Sequence, residues 1–232
     1  MTDLPHSSNQ IKYVSNFEEL ISTPFEGGIN TICWSRNLLV GFSEIIEKVE
    51  FSENIVELDE EYLCDLELTN EGKLAREILL NDLRNLISVG ASPVLNVIKY
   101  YERDDSFPFF PTDVYSFHVD RSPIPTSTFL CTYYGASSEI VPNSQANQKV
   151  LIPEIRQELQ NIYDGEEEDF GSFLSENFFD LHYQANPDAQ IVNLGIGQIW
   201  KLAVDHPESQ VLPCLHRAPN EKNGQKRLLL IC

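Results

Sequence analysis

The sequence predicts an α+β fold, because helical patterns dominate its first hundred residues and short strand-like runs dominate the remainder. Its 232 residues, 42% of them hydrophobic and 10% aromatic, suffice for one large domain with a substantial core. Beyond residue 105 the chain is rich in aromatic, β-branched and proline residues, which is typical of strands and turns. This order favours a mainly helical N-terminal part, residues 1–105, followed by a small β-barrel or double-sheet jelly roll in residues 106–232.

The N-terminal part contains three helix-like segments. NFEEL is expected to begin a short helix with residue 15 or 16 as its cap. The apolar residues of the stretch 42–58 are spaced for one helix face. The clearest helix is TNEGKLAREILLNDLRNLISVG, in which leucine and isoleucine recur at intervals of three and four and Gly90 is a suitable stop. TICWSR, at 31–36, fits a strand or a short buried helix equally well.

The second half of the chain contains one predicted insertion between strand-like segments. A helix is expected over 153–163, followed by the acidic break DGEEEDFG, so the insertion spans about 153–175. From residue 189 onward strand-like runs return, as AQIVNLG, GQIWKLAV, QVLPCLH and KRLLLIC.

The formal net charge of −20 excludes several classes of partner. Phosphate backbones and anionic membrane surfaces would be repelled, so we expect neither a nucleic-acid nor a membrane partner. The charge is uneven: 44–67 holds ten acidic residues and one lysine, and 164–169 holds five acidic residues. The stretch 198–232 has five basic and three acidic residues, so a small carboxylate remains admissible there.

A cytoplasmic location is expected from the absence of export signals in the sequence. The first residues, MTDLPHSSNQIKY, have neither a basic start nor an apolar signal core, and no apolar run approaches the ~20 residues of a membrane helix. The cysteines are scattered and form no C-x-x-C pair, which argues against a disulfide framework or a zinc knuckle: Cys33, Cys64, Cys131, Cys214 and Cys232.

The residues most suggestive of chemistry are His118 and Asp120 in FHVD. Side chains two apart on a strand point to the same side, so an imidazole and a carboxylate would share one space. A second histidine from a distant strand would complete a two-histidine, one-carboxylate face, which leaves open positions on an octahedral iron(II). By itself the H-x-D pattern is weak, because surface strands produce it often.

His216 and Arg227 supply the expected partners of this pair. His216 closes the apolar run QVLPCLH and Arg227 opens RLLLIC, eleven residues later. His206 and Arg217 have the same spacing, but His206 lies in the turn-like VDHPES, so the first pair is preferred. His182 could pack or line a pocket, and nothing in the sequence favours it as a ligand.

These residues resemble the pattern of the iron(II)/2-oxoglutarate-dependent oxygenases, whose core is a double-stranded β-helix. The resemblance implies that His118, Asp120 and His216 bind the metal and that Arg227 binds the distal carboxylate of 2-oxoglutarate. The blocks FHVDRSP, CTYYGASSEIVPN, LHRAP and KRLLLIC more closely resemble the bacterial family called domain of unknown function 1826, in the same order. That family has no established reaction, so the resemblance implies the metal site and not the substrate.

Further site residues are expected near the ligand strands. Of Tyr133 and its neighbour only one can point inward, and the hydroxyl of Tyr133 is predicted to contact the co-substrate, with core packing as the alternative. Arg121 and Arg217 would contact a substrate anion or pair with acidic residues. Asn143 would orient a ligand or cap a turn.

Three functional hypotheses follow from the sequence. The first is an iron(II)- and 2-oxoglutarate-dependent oxygenase acting on a small molecule or a protein. The second is a jelly-roll protein that binds zinc or iron without turnover, because two histidines and a carboxylate also form an open zinc site. The third is an interaction module in which H-x-D is incidental.

Overall fold

The computed structural model describes residues 9–220 and 224–232, and within them the fold is α+β, as predicted. The helices are α1 (Phe17–Ser22), α2 (Ser43–Lys48), α3 (Glu60–Asp65), α4 (Asn70–Ser88), α5 (Pro153–Ile162) and α6 (Phe170–Glu176). The strands are β1 (Ile11–Val14), β2 (Thr31–Trp34), β3 (Ile55–Glu57), β4 (Val94–Ile98), β5 (Phe117–His118), β6 (Ser127–Tyr134), β7 (Glu139–Val141), β8 (Ala146–Gln148), β9 (His182–Ala185), β10 (Val192–Asn193), β11 (Ile199–Ala203), β12 (Leu215–Arg217) and β13 (Arg227–Ile231).

The strands form two sheets that face each other. The seven-stranded sheet has the order β1-β2-β11-β6-β13-β4-β3, and the six-stranded sheet has the order β10-β7-β12-β5-β9-β8. Pairing is antiparallel except between β1 and β2. One buried cluster contains residues of both sheets, such as Leu130, Trp200 and Leu229 from the larger and Ile140 from the smaller. The sheets therefore enclose a shared apolar layer, as in a β-sandwich.

The N-terminal part contributes strands as well as helices. β1, β2, β3 and β4 all lie in the seven-stranded sheet, and TICW is the strand β2. The helix expected over 42–58 was wrong beyond Lys48, where α2 ends, because 55–57 forms β3 and pairs with β4. The apolar spacing suited a helix, but backbone pairing with a neighbouring strand decided the structure.

Helix α4 confirms the clearest helix prediction made from the sequence, and it covers the outer face of the seven-stranded sheet. The Thr69 hydroxyl accepts the Gly72 amide at its start, and Gly90 follows its end with φ +84°. Its buried leucines join side chains of the sheet in a second apolar cluster, including Leu79, Leu80, Leu86, Leu95, Val97 and Leu228.

The remaining predicted helices are also present. Asn16 caps α1 by accepting the Glu19 amide, and α5 begins at Pro153 as expected. With α6, α5 surrounds a separate aromatic cluster that includes Phe110, Phe170 and Phe179. The insertion thus has a small core of its own.

No helix in the described ranges is both long enough and apolar enough to cross a membrane.

Candidate metal centre

The two central strands of the six-stranded sheet place two imidazoles side by side. His118 on β5 is the direct register partner of His216 on β12, so both side chains project from the same face. Their ring centroids are 4.5 Å apart. Ile140, the β7 partner of His216, belongs to the cluster between the sheets, so this is the inner face.

Asp120 completes a group of three with these histidines. Its Oδ2 atom lies 3.6 Å from Nε2 of His216, and one ligand atom from each of the three residues lies within 4.8 Å of the others. The backbone of Asp120 is held by Asp205, whose amide donates to its carbonyl. The structure therefore brings together the three residues proposed from the sequence, and it brings His216 rather than His206 to the group.

The backbone contacts of the two histidines are made by Nδ1 and not by Nε2. Nδ1 of His118 donates to the Ser116 carbonyl at 2.8 Å, and Nδ1 of His216 lies 3.4 Å from the Cys214 carbonyl. With the proton on Nδ1, each Nε2 keeps a lone pair for a metal. The Thr128 hydroxyl donates to Oδ2 of Asp120, which orients that carboxylate.

Burial and charge give the group suitable protonation states. Burial, followed by the charge of His216, lowers the pKa of His118 to about 4. Burial would raise the pKa of Asp120, but the charge of His216 and the Thr128 hydrogen bond outweigh it and lower that pKa. At neutral pH His118 is thus an uncharged base and Asp120 a carboxylate, as metal binding requires. The donor set fits a divalent transition metal.

Arg227 is a buried cation on the opposite sheet. It begins β13 with 6% of its surface exposed, and one Nη donates to Ser138 Oγ at 2.6 Å and to Thr132 Oγ1 at 3.3 Å. Its Nε has no hydrogen-bond partner, and no carboxylate of the described residues forms an ion pair with it. Burial lowers the pKa of Arg227. A buried cation with no counter-ion is unfavourable and is a natural anion site.

Tyr133 does not serve the predicted co-substrate contact. Residues alternate along β6, so Thr132 points inward to Arg227 and Tyr133 points outward to α4. There its hydroxyl donates to Asp82 at 2.6 Å, and its ring packs against Phe42. The alternative of core packing is the one observed.

The other predicted contacts are largely occupied within the protein. Arg121 forms ion pairs with Asp180 at 2.8 Å and Asp205 at 2.9 Å. Arg217 pairs with Glu139 at 2.7 Å. For both arginines the structure supports pairing with acidic residues.

Asn143 has a structural role as well. Its side-chain oxygen accepts from Asn30 at 2.8 Å, and its amide nitrogen donates to the Pro213 carbonyl at 2.9 Å. These bonds tie together loops that are distant in sequence, and they engage both the oxygen and the nitrogen of the side-chain amide.

A cavity of about 820 Å³ opens beside the metal group. His118, Asp120 and Arg121 line it, together with residues that sequence reasoning did not select, notably His182 and Phe178. His182 lacks any sequence signal because its place beside His118 depends on the pairing of β5 with β9.

The large cavity does not include Arg227 among its lining residues. Arg227 instead lines a separate, much smaller space beside Tyr101 and Lys226.

Comparisons with known proteins supply no relative: the family models, the curated proteins and the solved structures searched contain no match to the chain. Its function is therefore inferred from the site itself.

Proposed function

We propose that this protein is an iron(II)- and 2-oxoglutarate-dependent oxygenase built on a double-stranded β-helix, or jelly roll. The proposal rests on the presence of two features in one two-sheet core. The first is the His-Asp-His group, and the second is a buried arginine that has no carboxylate partner among the described residues. Two facing, largely antiparallel sheets with the two histidines on adjacent central strands suit that architecture.

His118, Asp120 and His216 would hold the iron. Their two imidazoles and one carboxylate form the face that leaves the remaining positions of an octahedral iron(II) open. Bound iron(II) with 2-oxoglutarate supplies the oxidising chemistry for attack on a substrate. The protein orients the ligands through Ser116 and Thr128 and keeps His118 uncharged.

Arg227 would bind the distal carboxylate of 2-oxoglutarate. A guanidinium attracts a carboxylate by its charge and donates N–H hydrogen bonds to it, and the Nε of Arg227 has no partner among the described residues. Thr128 and Thr132 lie on the same inward face of β6, the first bonded to Asp120 and the second to Arg227. Metal group and guanidinium are thus both bonded to the inward face of β6, the first near its start and the second near its end.

The two most acidic segments of the chain lie away from the metal group. The acidic run 44–67 occupies α2, α3 and the segments around them, and 164–169 belongs to the insertion. Neither contributes to the lining of the cavity beside the metal group.

The second candidate is a metal-binding jelly-roll protein that uses zinc or iron without turnover. The separation of Arg227 from the large cavity favours it, because 2-oxoglutarate needs a continuous path from the metal to the guanidinium. The same three ligands form an open zinc site.

Anaerobic titration of the purified protein with iron(II) and 2-oxoglutarate separates the two candidates. The oxygenase is expected to show a visible charge-transfer band only when both are present, and to form succinate when oxygen is admitted. Metal binding with no response to 2-oxoglutarate would instead establish the second candidate. His118→Ala and His216→Ala should abolish metal binding, and the matched control His206→Ala should retain it; unchanged metal content in the first two variants would exclude both candidates.

A further inference from the structure

Three imidazoles form a row on the inner face of the six-stranded sheet. His182 on β9 is the register partner of His118, and His216 occupies the other side of His118. The ring centroid of His182 is 5.7 Å from that of His118, and His182 lies outside the group whose ligand atoms fall within 4.8 Å. His182 therefore borders the metal group without belonging to it.

The imidazole of His182 is buried and unsatisfied. The residue is 4% exposed, and its Nδ1 has no hydrogen-bond partner in the described part of the chain. Buried polar groups are normally paired, and His182 lines the large cavity, so a bound ligand is the natural partner.

Phe178 stands in the same cavity wall, near solvent. It is 61% exposed and has φ +59°, the only positive φ at a non-glycine position of the described residues. A bulky residue in the left-handed region is strained, and such strain persists where surrounding contacts impose it. Here Arg121 forms an ion pair with Asp180, which lies in the turn that follows Phe178. The segment 178–182 thus carries an aromatic ring at one end and an imidazole at the other.

The charges around the cavity disfavour an anion. Its lining includes the carboxylates of Asp113, Asp120 and Asp205, against the single guanidinium of Arg121. That guanidinium is already shared between Asp180 and Asp205. A bound divalent metal would offset the carboxylates, and the described residues that line the cavity offer no arginine or lysine that is not already paired.

We propose that the primary substrate is a small organic molecule with an apolar body and an uncharged or positively charged hydrogen-bonding group. Its apolar body packs on Phe178, and its polar group hydrogen-bonds the imidazole of His182. This inference rests on the proposed function, since it assigns the cavity beside the metal to the substrate.

Three matched probes test the proposal: benzyl alcohol, benzylamine and benzoate share one ring and differ in charge. Their affinities are measured by ligand-observed NMR with the full chain, both metal-free and zinc-loaded, so that direct coordination of benzoate is recognised. Benzyl alcohol and benzylamine should bind at least about tenfold more tightly than benzoate to the metal-free protein. Tighter binding of benzoate there would overturn the charge argument.

Substitutions then locate the probes. His182→Phe keeps a ring but removes both nitrogens, and it should weaken benzyl alcohol binding about tenfold, the effect of losing one buried hydrogen bond. Phe178→Ala should weaken both benzyl alcohol and benzylamine. The control His206→Phe changes another imidazole on the cavity lining, whose Nδ1 is occupied by the Glu208 amide, and should change neither affinity.

Cobalt(II) titration of each variant distinguishes a failure of the substrate proposal from a failure of the proposed function. His182→Phe should bind cobalt as the unsubstituted protein does; loss of cobalt would make His182 a ligand and overturn this proposal. A normal charge-transfer band with probe affinities insensitive to His182 would also overturn it. A missing band in the unsubstituted protein, with probe affinities that still depend on His182, would count against the proposed function instead.

Discussion

Thr128 and Thr132, two residues of β6 with the same inward orientation, serve different parts of the proposed site. Thr128 donates to Asp120, and Thr132 accepts from Arg227. Thr128→Val should therefore weaken metal binding by about 10–100-fold, the usual effect of losing an outer-shell contact. Thr132→Val, its matched control, should leave metal affinity unchanged and weaken 2-oxoglutarate binding. Metal titration and the charge-transfer band measure the two effects; equal metal affinities in the two variants would contradict the assignment.

Arg227 is buried and Arg36 largely so, but among the described residues only Arg36 forms an ion pair with a carboxylate. Arg36 makes two hydrogen bonds to Asp82, at 2.7 and 2.5 Å, and Asp82 is almost fully buried. Arg36→Met should cost about 3–5 kcal/mol in the free energy of unfolding, because it leaves that carboxylate uncompensated. Arg227→Met removes an unpaired cation and should be neutral or stabilising in the metal-free protein. Urea denaturation tests both, and a similar destabilisation by the two substitutions would argue against Arg227 as a vacant anion site.

The candidate site residues differ in how well the sequence predicted their positions. The i, i+2 spacing of His118 and Asp120 is weak by itself, and the choice of His216 as their partner draws on the resemblance to the oxygenase pattern; the structure brings the three residues together. The sequence leaves the direction of Tyr133 open between a co-substrate contact and core packing, because the inward positions of a strand cannot be read from the sequence when both faces are apolar, as in STFLCTYY. His182 could not be selected because only the register of β9 brings it beside His118.

Among the elements, α4 offers the clearest test of packing. Leu79 is fully buried against the seven-stranded sheet, whereas Leu74 is 59% exposed although both belong to the same periodic pattern. Leu79→Ala should lower the free energy of unfolding by about 2–5 kcal/mol, and Leu74→Ala by no more than about 0.5 kcal/mol. Chemical denaturation of the two variants gives the comparison. Equal losses would mean that α4 presents a different face to the sheet.

Helices were easier to predict than strands in this chain. The sequences of α1, α4 and α5 carry their own caps and periodicity, so local information was sufficient. The formation of β3 and β4 depends on their partner strands, since β4 lies between β3 and β13 in the sheet. β13 comes more than a hundred residues later in the chain. No local pattern encodes that pairing, and the helical interpretation of 42–58 failed there.

At the scale of the whole molecule, the five cysteines divide by burial. Cys64 is exposed, whereas Cys33, Cys131 and Cys214 are buried. Burial raises the pKa of Cys131 and of Cys214 to about 12, which suppresses the reactive thiolate. In the native protein a disulfide reagent should therefore modify Cys64 rapidly and these three thiols only after unfolding. Cys64→Ser should remove this fast phase and leave Cys232, which is half-buried, as the next thiol to react. Rapid modification of Cys33, Cys131 or Cys214 in the native protein would contradict the packing.

The seven-stranded sheet has a consequence for the order in which the chain acquires its structure. β13 sits between β6 and β4, yet it is the last of the described strands to leave the ribosome. Until it emerges, β4 with β3 and β6 with β11 form two pieces with no bond between them across the sheet. During synthesis, α4 and these two pieces can therefore form early, but each piece exposes an unpaired strand edge until β13 is available. Arg227 opens that final strand, so the proposed anion site is created in the same late step that closes the sheet.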